Sequence, residues 1–251
     1  FLGTGLMGAP MVARLLDAGF SLTLWNRTPD KAQRFADRAL IAASPAQAVA
    51  GADVVITMLE DGAVVDQVLY QSGAIAGLRP DTLVIDMSSI EPATARRHGA
   101  QVTQQGGGYL DAPVSGGTRG AEAGALSIMA GGSEVDFHRA APIFQALGKA
   151  THIGPVGSGQ LAKLANQAIV GITIGAVSEA LLLAAKGGAR PDKVREALLG
   201  GFAGSKILEQ HGERMLARDF EPGAPARIQL KDLRMILDEA RAEGLTLPLS
   251  Q

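Results

Sequence analysis

The sequence of 251 residues contains no cysteine. Disulfides, thiol nucleophiles and thiolate metal sites are excluded together. Histidine is scarce too: His98, His138, His152 and His211 stand far apart, without the short spacing of a metal-binding helix pair. No metal site is expected. A basic excess is also lacking, since 23 Lys and Arg face 25 Asp and Glu for a net charge of −2. Nucleic-acid binding therefore has no electrostatic footprint. There is no internal repeat, no low-complexity segment and no visible signal peptide. The longest uncharged run in the most apolar region, residues 164–178, falls short of the roughly 20 residues that span a bilayer. A buried helix in a cytoplasmic protein, with no membrane partner, is the expectation there.

What is present has the balance of a soluble globular protein, 47% hydrophobic and 19% charged. The length suits one large or two modest domains. Short apolar or alternating runs bounded by Gly, Pro, Asp or Asn predict strands at 21–26, 53–58, 82–88, 109–114, 126–132 and 151–154. Helical patterns lie between them at 9–18, 29–39, 63–69, 92–105 and 134–147. Pro29 and Pro92 stand at first helical positions. Such alternation predicts an α/β domain with a mostly parallel sheet covered by helices on both faces. After about Gly157 the strand signals stop. A long apolar helix and three amphipathic ones follow, separated by breaks such as KGGARP and EPGAP. Two domains are expected, 1–156 and 157–251, the second all-helical.

At the N-terminus, FLGTGLMGAPM holds Gly3-x-Gly5-x-x-Gly8. In a dinucleotide-binding unit the first glycine makes the turn, the second admits the pyrophosphate and the third lets helix and strand pack. The helix that follows offers free N–H groups and a positive dipole end. By itself the motif is weak, because glycines also just make turns. The chain starts at the turn, so most of a preceding strand is expected to be missing. At the end of the next strand the sequence reads WNRTP. An NAD-selective site usually carries Asp or Glu there. Asn26 removes that charge, and Arg27 and Thr28 supply a cation and a hydroxyl suited to a 2′-phosphate. NADP is favoured over NAD, the alternative being a surface arginine before a proline-started helix.

One more feature asks for a reason. Within GSGQLAKLANQ, Lys163 and Asn166 lie one turn apart on the same helix face, with Gln167 beside them. An unpaired buried ammonium is costly, so this face either reaches a polar cleft or is ordinary surface. A cation near a helix N-terminus is disfavoured by the dipole, which argues against an idle lysine.

Taken in order, GTGLMG, TML, DMSS, DAPVSGGTRGAEAGALSIMAGG, GSGQLAKLANQ and QLKDL resemble the β-hydroxyacid dehydrogenases, and the resemblance covers essentially the whole chain. It implies a Rossmann domain joined by a long helix to an all-helical domain. It implies that Lys163 is the catalytic acid/base and that Asn166 orients substrate. Ser115, Gly116 and Gly117 would hold the substrate carboxylate, for which a hydroxyl and exposed backbone N–H groups are suited. Gly3, Gly5, Leu6, Met7, Gly8, Asn26, Arg27, Thr28, Met58, Leu59, Ser89, Lys231 and Asp232 would line the cofactor or support its site. The implied activity interconverts a short carboxylated aldehyde and its hydroxyacid with NADP. Residues 200–212, GGFAGSKILEQHG, look most like the 2-hydroxy-3-oxopropionate (tartronate semialdehyde) reductase branch. The 3-hydroxyisobutyrate dehydrogenase and glyoxylate/succinic semialdehyde reductase branches are the alternatives. Imine reductases of the same fold typically lack the lysine at position 163, and a silent NADP-binding interaction module would have no need of Ser115, Lys163 and Asn166 together.

The sequence departs from the family pattern in places. Ala224 stands where many relatives carry an aromatic, with Arg227 nearby as a possible second carboxylate contact. Glu60 and Val64 replace Pro or Ser and a polar residue. The end at Gln251 falls short of the family's last helices. The long helix carries Ile169, Ile172, Ile174, Val177 and Leu181–Leu183 around its girth. Covering it requires more than a small domain provides, and a homodimer or homotetramer is expected.

Overall fold

Residues 1–221 and 226–251 are described by the computed structural model, and they divide into two units, Phe1–Lys163 and Leu164–Gln251. The first unit is organised by parallel pairing. β1 (Thr23–Leu24) pairs with β2 (Leu40–Ile41), and β3 (Val54–Thr57), β4 (Leu83–Asp86) and β5 (Gly108–Asp111) pair in sequence. Leu2 joins the two groups, bridging in parallel to Trp25 on one side and Thr57 on the other. With Leu2 as the first strand, the order is that of the doubly wound Rossmann sheet, and its switch point lies beside the glycine turn. Beyond β5 the sheet becomes mixed. β6 (Val114–Ser115) and β5 both run antiparallel to β7 (Leu126–Gly132), while β8 (Gly148–Gly154) returns parallel to β7. The sheet is thus mostly parallel, as expected, with antiparallel pairing only where β5 and β6 meet β7.

Strand residues alternate between two apolar clusters, as the period of two requires. Ile56, Leu83, Ile85 and Leu110 enter one cluster with Met11, Val12 and Leu15 of α1 (Gly8–Asp17). Val55, Val84 and Tyr109 enter the other. Between β1 and β4 lie α2 (Asp30–Gln33), α3 (Pro45–Val49), α4 (Gly62–Val65) and a π-helical turn, Asp66–Gln71. α5 (Pro92–Gln104) follows β4 and buries His98, whose Nε2 lies 2.8 Å from Asp66. α6 (Gly117–Glu122), α7 (Glu134–Arg139) and α8 (Ala141–Leu147) complete the unit.

Several predicted boundaries are corrected. The strand expected at 109–114 is two strands, because Pro113 has no N–H to donate to a ladder. The helix expected at 29–39 is regular only over Asp30–Gln33, and 134–147 is broken at Ala140, just before Pro142. β2, α3 and α6 were not anticipated. α3 is signalled locally by Ser44, whose hydroxyl accepts from Gln47 N–H, and by Pro45 at the first turn.

The second unit is helical. α9 (Ser158–Lys186) runs through the division at Lys163, and α10 (Pro191–Leu199), α11 (Lys206–Ala217) and α12 (Ala226–Ala242) follow. Val177, Leu181 and Leu208 form one small cluster, and Leu164, Met235 and Ile236 another. α9 spans about 43 Å at 1.5 Å per residue. It is long and apolar enough to cross a membrane, with a mean hydropathy of 2.0 over 18 residues, yet only 11% of that window is buried. The expected buried helix is therefore largely uncovered within one chain. Ala224, where an aromatic was sought, lies outside the described residues.

Candidate active site

Each fingerprint glycine has a different reason. Gly3 has φ +102°, and a Cβ there would collide with the Met58 carbonyl; at Gly8 it would collide with the Gly3 carbonyl. These two are required by the fold itself. Gly5 is not: a Cβ there meets nothing within 4 Å. It faces a cavity of about 450 Å³ lined by Thr4, Leu6, Pro10, Lys31 and Arg34 among others. Leu6 is exposed, whereas Met7 packs against the core.

Asn26 braces the turn. Its Oδ1 accepts from Thr4 N–H at 2.9 Å and its Nδ2 donates to the Thr28 carbonyl at 3.0 Å. Arg27 and Thr28 are exposed at the same strand end. Arg34 Nη2 reaches the Thr4 carbonyl at 3.4 Å. Lys31 and Arg34, not singled out from the sequence, bring two more cations to the glycine turn. Lys31 and Arg34 lie three residues apart in the stretch expected to be helical, a spacing that places them on one face. The Thr4 hydroxyl is buried without a partner, which is rare and calls for an explanation.

Met58 N–H donates to the Leu2 carbonyl, and Leu59 N–H donates to Ser88 Oγ at 3.0 Å. Ser88 thus ties this loop to the end of β4, and the neighbouring Ser89 is half-buried. Across three strand ends runs a polar row in register: Thr57, Asp86, Asp111. Asp86 Oδ1 accepts from Thr57 Oγ1 at 2.8 Å and from Ser88 N–H at 2.9 Å. Burial nonetheless pushes its carboxyl up. Asp111 accepts from the N–H groups of Gly157 (2.7 Å) and Gln160 (2.8 Å). Burial pushes its carboxyl up to about 7, against the downward pull of those two donors.

The segment after β5 contains Ser115, Gly116 and Gly117, which the sequence resemblance assigns to a carboxylate. Gly116 and Gly117 have φ +135° and +62°, a region that penalises any side chain. Lys163, from α9, donates from Nζ to the Val114 carbonyl at 2.8 Å. The structure therefore brings Lys163 to the residue preceding Ser115. In the second unit a chain of polar side chains joins other predicted residues. Asn166 Nδ2 donates to Gln167 Oε1 (2.8 Å), and Gln167 Nε2 donates to Asp232 Oδ2 (2.7 Å). Lys231 Nζ lies 3.3 Å from Asp232 Oδ1, and Asp232 is buried. Gln167, which stands beside Lys163 and Asn166 in the sequence and received no role there, is the link.

Comparison with known proteins decides the family. Residues 1–157 match the NAD binding domain of 6-phosphogluconate dehydrogenase, and residues 157–251 match the NAD-binding domain of NADP-dependent 3-hydroxyisobutyrate dehydrogenase. The chain is 45% identical over 250 residues to 2-hydroxy-3-oxopropionate reductase of Escherichia coli (strain K12), covering 99% of this chain and 86% of that protein. The chain belongs to the β-hydroxyacid dehydrogenases. NAD-dependent L-serine dehydrogenase of Pseudomonas aeruginosa is 35% identical, with 99% and 87% covered. A solved structure of Mycobacterium tuberculosis 3-hydroxyisobutyrate dehydrogenase with L-serine superposes with a TM-score of 0.90 at 36% identity, covering 100% of this chain and 88% of that one.

As a β-hydroxyacid dehydrogenase, the chain is an NAD(P)-dependent enzyme acting on a small hydroxyacid or aldehyde. Its residues fit the cofactor. The open face at Gly5, the unpartnered Thr4 hydroxyl and the cations Lys31 and Arg34 together make a cradle for a phosphorylated ligand. When bound, the nicotinamide dinucleotide supplies or accepts the hydride. What the chain must add is charge control at oxygen. Reduction of a carbonyl leaves negative charge there, so a proton donor is needed within hydrogen-bond reach.

Proposed function

We propose that this enzyme is an NADP-dependent reductase of 2-hydroxy-3-oxopropionate. The observation that carries the reading is the 45% identity over nearly the whole chain to a protein named for that reaction. In this reading Lys163 protonates the nascent alkoxide, and Ser115, Gly116 and Gly117 receive the substrate carboxylate. Asn166 orients the substrate, and Lys231 and Asp232 support the nicotinamide end. Residues 1–156 form the cofactor domain, and residues 157–251 the substrate and assembly domain. The preference for NADP is supported by the lack of an acid at position 26 and by Arg27, Lys31 and Arg34 around the same strand end. One relative is named as NAD-dependent and one matched family as NADP-dependent, so both cofactors occur within the family.

Steady-state assays of NADPH and NADH oxidation test the reading with 2-hydroxy-3-oxopropionate, glyoxylate, succinic semialdehyde and methylmalonate semialdehyde. The largest kcat/KM is expected for 2-hydroxy-3-oxopropionate with NADPH. A larger value for any other aldehyde, or for NADH, overturns the corresponding half of the assignment.

A further inference from the structure

Gln160 stands inside the lysine motif, yet none of the roles above uses it. Its side chain is 1% exposed, and a buried primary amide is costly unless both its ends are satisfied. Both are. Oε1 accepts from Ile90 N–H at 3.1 Å, and Nε2 donates to the Ser88 carbonyl at 2.8 Å. Its backbone N–H, with that of Gly157, is held by the two oxygens of Asp111. The first turn of α9 is therefore fastened at four points, two on the segment leaving β4 and two on the last residue of β5. Gly159 completes the fit, because a Cβ there would collide with the carbonyls of Asp111 and Met129.

Lys163 follows Gln160 by three residues, one turn along α9. Its stem has four rotatable carbons, so the ammonium is held in place only if both its root and its acceptor are fixed. One acceptor is the Val114 carbonyl, on β6. The root is the turn that Asp111 and Gln160 fasten. An apolar residue at 160 could fill the same volume and would leave the turn free to shift.

We propose that Asp111 and Gln160 are positioning residues for the reaction. They set the helical turn from which Lys163 reaches the Val114 carbonyl, next to the Ser115–Gly117 loop. The inference rests on Lys163 being the proton donor.

The test compares Gln160→Met, which removes both side-chain bonds at similar volume, with Gln160→Glu, which keeps only the acceptor for Ile90 N–H. Each is made in the wild type and in Lys163→Ala. Turnover in the Lys163→Ala background is measured as the residual rate and with added ethylamine. In the wild-type background Gln160→Met is expected to lower kcat roughly 10- to 100-fold, the scale of a misplaced catalytic group, with NADPH affinity unchanged. Gln160→Glu should fall between, and it carries the comparison if the methionine variant does not fold. In the Lys163→Ala background neither substitution should cost anything further, because there is no lysine left to position. A lower melting temperature with unchanged kcat per folded molecule would make Gln160 a structural residue only and overturn the proposal. So would an equal loss in both backgrounds, with Lys163 keeping its role. If Lys163→Ala itself turned over at the wild-type rate, the proton-donor reading would fail, and the positioning proposal with it.

Discussion

Asp111 shows how one residue can balance opposing effects. Burial raises its carboxyl from the ordinary 3.8 to about 7, while the N–H groups of Gly157 and Gln160 pull it down. A group whose folded value is raised binds its proton more tightly in the native state. Its contribution to stability is full below about pH 4 and is lost as the pH rises through 7. Denaturant titrations of wild type and Asp111→Asn should therefore show a stability difference that changes steadily between pH 4 and pH 7, in the direction of a shrinking wild-type advantage. A constant difference would mean that Asp111 does not titrate in that window. At the cofactor end, Arg27→Ala should weaken NADPH by about 1.5–3 kcal/mol, the worth of a charge-assisted contact, and leave NADH nearly unaffected. Equal losses in binding titrations of the two cofactors would exclude a 2′-phosphate contact. Lys163 and Ser115 stood out as candidates because each sits inside a contiguous motif, and the structure brings Lys163 to the Val114 carbonyl beside Ser115. The clamp on α9 was not, since Asp111 meets Gly157 and Gln160 across 46 and 49 residues of chain. Linear spacing carries no trace of that pairing.

Among elements, the glycine turn separates folding from ligand binding. Gly3 and Gly8 are excluded from change by the protein's own carbonyls, whereas Gly5 borders open space. Gly3→Ala is expected to destabilise the fold, by clash and by a φ that alanine adopts poorly. Gly5→Ala should leave the melting temperature near wild type and weaken the dinucleotide. Thermal melts with and without NADPH check both, and a Gly5→Ala protein with full cofactor affinity would remove the reason given for that glycine. The main strands and helices of the first unit were readable from alternation and proline placement, because burial on two sheet faces imposes a period of two. The split between β5 and β6 was missed although Pro113 announced it, since the apolar run 109–114 looks continuous when only hydrophobicity is followed. β2, two residues long, is too short to impose a period.

For the whole molecule, the governing fact is α9. Ile169, Leu182 and Leu183 are 60–75% exposed in the single chain, and Phe202 of the same unit is wholly exposed. Apolar area of this extent is stabilised only when covered. We expect a second copy to cover it, most simply across a two-fold axis. Sedimentation at low micromolar protein should give a dimer or a tetramer of dimers, and Leu182→Asp/Leu183→Asp should shift it toward monomer. A monodisperse wild-type monomer would show that α9 needs no partner copy. The account as a whole stands on proton delivery by Lys163 in an NADPH-loaded enzyme. The direct measurement is single-turnover oxidation of bound NADPH on mixing with 2-hydroxy-3-oxopropionate, wild type against Lys163→Ala, with NADPH affinity determined on the same preparations. A loss of roughly 10²–10⁴-fold in rate at unchanged NADPH affinity is predicted; an undiminished rate in the variant would contradict the account.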